Sequence, residues 1–125
     1  MPFHNRVDKV NHTVFVDAIG EILIEDLIAN KLKILGHPDF GRNYNMLLDL
    51  SKAKPHHSVD LDKVNMSKEF VESIQDKSGN CKWAVYAPDD SSYDFANMFE
   101  VLSKGLSIET KVFRDMKETR EWLGM

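Results

Sequence analysis

The residues of this chain that could do chemistry are five histidines, one cysteine and a scatter of serines and aspartates. A metal site needs ligands that converge on one point, usually through a helical spacing of four or through paired motifs. His4, His12, His37, His56 and His57 show no such spacing, and adjacent His56 and His57 in an extended loop would point apart. No metal and no other cofactor is expected, and the histidines read as solvent-exposed loop residues. Cys81 opens a strand-like run away from any helix N-terminus that could lower its pKa, so it reads as a small unreactive hydrophobe. No serine is flanked by glycines as in a nucleophile elbow, and the six glycines form no phosphate-binding loop. No residue is therefore assigned a catalytic role. An acid/base enzyme is the alternative; it would have to draw on Asp49, Asp89, Asp90 and a loop histidine, held in a concave site with a perturbed pKa.

The segment Pro88-Asp89-Asp90-Ser91-Ser92-Tyr93 offers more, because it joins the carboxyl end of one strand-like run to the start of a helix. In open parallel sheets ligands usually bind at that edge. Ser51 follows another strand-like run and Asp115 follows the last, so these loops are expected along one rim. Asp89, Asp90, Ser91, Ser92, Tyr93 and Ser51 are thus candidate ligand or interface residues, although an ordinary capped helix entry uses the same residue types. A second group, Trp83, Tyr86, Tyr93, Phe95, Met98, Phe99 and Met66, could line an apolar cavity or simply fill a core. A pocket for an organic ligand should exceed roughly 300 Å³. An apolar helix face carrying Tyr93, Met98 or Trp122 could instead bind a protein partner or a second copy, with a two-fold homodimer the simplest closed product.

The elements that must position these residues follow from periodicity. Phe3 to Val10 and Thr13 to Ile19 read as strands joined by a tight turn at Asn11-His12 into an antiparallel hairpin, the second strand stopping at Gly20. Ile24, Leu27, Ile28, Leu32 and Leu35 recur at helical spacing, and Gly36 and Pro38 end that helix. Met46 to Leu50 reads as a strand covered on both faces. Asp60 caps a helix carrying Leu61, Val64, Val71 and Ile74, which Ser78-Gly79-Asn80 terminates. Cys81 to Ala87 is strand-like, and Ser91 and Asp94 are spaced as a capping box for a helix bearing Tyr93, Ala96, Phe99, Val101 and Leu102. Thr110 to Phe113 is the last strand, and Asp115 with Glu118 caps a short helix bearing Met116, Thr119, Trp122 and Leu123. This order predicts an α/β fold: a mostly parallel five-stranded sheet with an N-terminal antiparallel strand or hairpin, right-handed crossovers and four helices on its faces.

Composition sets the outer limits. The 125 residues are 42% hydrophobic and carry a formal net charge of -4, which suits one domain spanning 1–125 and gives no field to gather a nucleic-acid backbone. No apolar run approaches the ~20 residues of a membrane span, and the polar start does not resemble a signal peptide, so a cytoplasmic location is expected. A lone cysteine likewise points to no disulfide-forming compartment.

Several segments together resemble the SpoIIAA-like proteins of the STAS and CRAL-TRIO type. They are Gly20-Glu21-Ile22, His37-Pro38-Asp39-Phe40, Asn45 to Leu50, Trp83 to Pro88, Ala96 to Glu100, and Val112-Phe113-Arg114-Asp115 through Glu121-Trp122-Leu123. The resemblance spans nearly the whole chain and rests on core positions, so it implies a fold more than a function. It implies a non-enzymatic binding or regulatory module, because relatives of the fold include antagonists switched by phosphorylation of a serine at the start of the second helix. Others are lipid-exchange domains with an apolar pocket. The antagonists' Asp-Ser-x-Gly motif falls, on counting from Asp49, at His57-Ser58-Val59-Asp60. Ser58 matches by position alone, its flanking Asp and Gly being absent, and the favoured reading is a helix-leading serine with capping chemistry shared with Asp60.

Overall fold

A computed structural model describes residues 2–125. Strand β1 (Phe3–Asp8) and strand β2 (Thr13–Ile22) form the antiparallel hairpin, followed by helix α1 (Ile24–Leu35), β3 (Asn45–Pro55), α2 (Leu61–Ser78), β4 (Cys81–Tyr86), α3 (Asp90–Leu102), β5 (Ile108–Phe113) and α4 (Met116–Trp122). The sheet order is β1-β2-β3-β4-β5, with β2 to β5 mutually parallel.

Local chemistry explains most departures from the sequence pattern. The hairpin turn takes four residues rather than two: the Asp8 carboxylate accepts the Val10 and Asn11 backbone N–H groups at 3.0 and 3.1 Å, which ends β1 before Val10. β2 does not stop at Gly20. That glycine adopts φ +83, a register shift lies between Asp17 and Ile19, and the strand continues to Ile22 paired with Lys52 through Pro55 of a β3 that is equally extended. β4 pairs with β3 only from Met46 to Asp49, so the ends of β2 and β3 project as a two-stranded arm. Ser51 consequently lies within a strand rather than after one.

Asp60 caps α2 as expected, its carboxylate accepting the Lys63 N–H at 3.0 Å, and Asp115 does the same for Glu118 on α4. The expected Ser91–Asp94 capping box does not form. α3 starts two residues earlier at Asp90, with Asp89 as its N-cap. α2 ends at Gly79 (φ +78), where a Cβ would collide with the Asn43 side chain that accepts the Asn80 N–H.

Strand parity distributes the core. Val14 and Val16 of β2, Met46, Leu48 and Leu50 of β3, Trp83 and Val85 of β4, and Ile108 and Val112 of β5 are buried on one face, beneath α1, α2 and α3. Three successive right-handed crossovers in one direction along the sheet require this placement. Helix α4 packs on the opposite face, with Trp122 against Phe113 at 5.7 Å between ring centroids and Lys82 Nζ donating to the Trp122 carbonyl. The cover is therefore three helices to one.

Candidate functional site

The rim residues do not gather into a site. Asp89 and Ser91 are exposed, and Asp90 is exposed too and pairs with Arg114, whose guanidinium also stacks over the Tyr93 ring. Ser92 is buried, and its hydroxyl donates to the Ala53 carbonyl on the projecting arm, fastening the start of α3 to β3. The Ser51 N–H donates to Asp49, tying that carboxylate to its own strand. Met98 is half-buried on α3 and is not in the wall of the cavity beneath α1, α2 and α3.

Ser58 is exposed in the loop before α2, with its hydroxyl 2.8 Å from His56 Nδ1; His56 Nε2 lies 3.8 Å from Glu21. These residues name a nucleophile, a base and an acid, but they do not make a triad. The last gap exceeds a hydrogen bond, Nδ1 already accepts the Ser58 N–H, and the group sits on an open surface. Among the described residues no three His, Cys, Asp or Glu side chains converge on a metal-sized point.

What the fold does leave is a partly open cavity of about 100 Å³ between the inner sheet face and α1, α2 and α3. Its wall is Val16, Met46, Leu48, Leu50, Trp83, Val85 and Thr110 from the strands, with Leu27, Ile28, Asn30, Lys31 and Ile34 of α1 above them. Ser67, Phe70 and Val71 of α2 and Phe95, Ala96 and Phe99 of α3 close it. Of the aromatic and methionine set read from the sequence, Trp83, Phe95 and Phe99 are in this wall; Tyr86, Tyr93, Met66 and Met98 are not. Tyr86 cannot be, because its position on β4 turns it to the other face.

The wall holds a residue that the sequence reading passed over. Lys31 is 7% exposed, and no ion pair among the described residues involves it. Its ammonium rests 4.6 Å from the Trp83 ring centroid and 5.0 Å from that of Phe40. Burial lowers its pKa from 10.5 to about 8. Beside it, burial pushes the Cys81 thiol up from its usual value, so at neutral pH Cys81 offers no counter-charge. Trp83 Nε1 and Thr110 Oγ1, on residues paired across β4 and β5, are also buried without a hydrogen-bond partner; the nearby Cys81 sulfur is at most a weak acceptor for the indole.

The signal for Lys31 was present in the α1 stripe. Ile24, Leu27, Ile28, Lys31 and Ile34 follow the three-and-four spacing, whereas Leu32, taken for the inner face, is 54% exposed. Reading only apolar residues rotated the helix away from its buried lysine.

No family model matches the chain, and no curated protein matches it. Among solved structures it is similar to an uncharacterized protein from the DUF3478 family with a SpoIIAA-like fold, from Shewanella loihica PV-4. The TM-score is 0.57 at 14% identity, over 97% of this chain and 91% of that one. Identity this low speaks to architecture alone, so the chain has a SpoIIAA-like fold; the likeness says nothing of the CRAL-TRIO part of the resemblance.

Proposed function

We propose, from the SpoIIAA-like fold as premise, that residues 1–125 form a single non-enzymatic binding domain whose ligand enters the cavity beneath α1, α2 and α3. The observation that supports this most is the cavity itself, apolar-walled, bounded by all three inner helices and containing unpartnered polar groups. Its volume of about 100 Å³ is below the roughly 300 Å³ of a drug-sized site, which leaves no room for a long acyl chain and narrows the expected ligand from a lipid to a small molecule. A cavity of about 150 Å³ with such walls takes a benzene-sized guest, so by proportion the fitting guest here has about four or five heavy atoms.

The test is a titration of the purified chain with 1-propanol and, separately, with propionate, followed by backbone amide NMR shifts. Saturable shifts confined to Val16, Val71, Phe99 and their neighbours support the reading. If neither compound moves them, the cavity is a packing defect and the reading fails. Native mass spectrometry of the same preparation shows whether a second copy is bound and whether a small molecule accompanies the chain.

A further inference from the structure

The wall of the cavity is apolar but for Asn30, Lys31, Ser67, Thr110 and the Trp83 indole N–H; Asn30 and Ser67 are hydrogen-bonded elsewhere, and the other three are short of acceptors. Lys31 contributes an ammonium with no counter-ion among the described residues, Trp83 an indole N–H with only the weak Cys81 sulfur beside it, and Thr110 a hydroxyl with no partner. Lys31 and Trp83 are each more than nine-tenths buried, and the ammonium lies within 5 Å of the indole ring centre. The aromatic faces of Trp83 and Phe40 return about 1–2 kcal/mol to a desolvated cation, well short of the several kcal/mol that removing an ion from water costs. Buried charges of this kind are ordinarily paired or neutralised.

We infer that the cavity is shaped for a small organic anion, its carboxylate seated against Lys31 with the Trp83 N–H and Thr110 hydroxyl beside it and its short apolar body against Val16, Leu48 and Phe99. This rests on the proposed function and names the class of its ligand. An anion supplies all three acceptors the wall lacks and the missing counter-charge at once, whereas a neutral hydrocarbon of equal size leaves every one of those groups orphaned. The charge-assisted bond is the larger share of the discrimination, since charged hydrogen bonds are about twice as strong as neutral ones.

The experiment compares propionate with propionamide and 1-propanol, which keep the short apolar body and lose the charge. For the wild-type chain at pH 7 the acid should bind at least about tenfold more tightly than either neutral compound, and Lys31→Met should abolish that preference. Equal binding of acid, amide and alcohol by the wild-type chain overturns the anion assignment and leaves the cavity reading standing. Absence of all three overturns both. Because the acid-to-amide ratio is read on wild-type protein, the inference stays testable even where Lys31→Met does not fold.

Discussion

Lys31 sets the chemistry of the cavity at the level of a single side chain, and it does so at the expense of stability. Its folded pKa of about 8 lies below the ordinary value of 10.5, so the unfolded chain binds more protons between those two pH values. The burial penalty is complete below pH 8, shrinks as pH rises through that window, and is gone above it. A shift of this size corresponds to about 3 kcal/mol, from which about 1 kcal/mol of lost cation–π attraction must be subtracted when the charge is removed. Lys31→Met should therefore be more stable than wild type by about 2 kcal/mol at pH 7 in urea unfolding, with the difference closing toward pH 10.5. A variant that is less stable at pH 7 would show that Lys31 is a satisfied structural residue. Trp83 was visible in the sequence as part of an aromatic set, but Lys31 was not, because a lysine inside an apolar stripe is normally assigned to the solvent side.

At the level of elements, two of the three expected helix caps and the glycine that ends α2 were legible because their chemistry is local. Asp60 and Asp115 do what their types and positions announce, and Gly79 ends α2 in a backbone conformation that side chains resist. Asp60→Ala removes the acceptor for the Lys63 N–H and should cost about 1 kcal/mol of stability without altering ligand binding, measurable by urea unfolding beside the same titration. Strand length was less legible, since it depends on partners far away in sequence. β2 passes through Gly20 because β3 continues beside it, and β3 continues past Leu50 because β2 does. Nothing in either segment alone announces that reciprocal extension, and it is what converted Ser51 from a loop residue into a strand residue.

The arrangement of the whole molecule decides where a ligand can go. A binding crevice at the strand ends arises where strand order reverses and neighbouring connections leave on opposite faces. Here the order runs without reversal from β1 to β5, so the inner helices lie together on one face and no such crevice opens at the rim. The alternation of strands and helices was readable from the sequence, but neither the monotonic order nor the three-to-one cover was, and the rim expectation for Asp89, Asp90, Ser91 and Ser92 depended on the order. The same topology separates the two tryptophans, Trp83 beneath the inner helices and Trp122 on the α4 side. Trp122→Phe should leave propionate binding unchanged within about twofold and make Trp83 the sole indole emitter, so that its fluorescence alone reports the titration. A large loss of affinity in that variant would mean the two faces are energetically joined.

The lopsided cover also leaves a signature that a mutational scan would hear as a two-beat rhythm. Along β2, β3 and β4, substitutions at Val16, Leu48 and Trp83 should disturb guest uptake, while those at the intervening Phe15, Asp17, Asp49 and Tyr86 should pass through uptake unheard and register only in folding or solubility. Phase, rather than distance along the chain, is the coordinate on which this molecule sorts its residues.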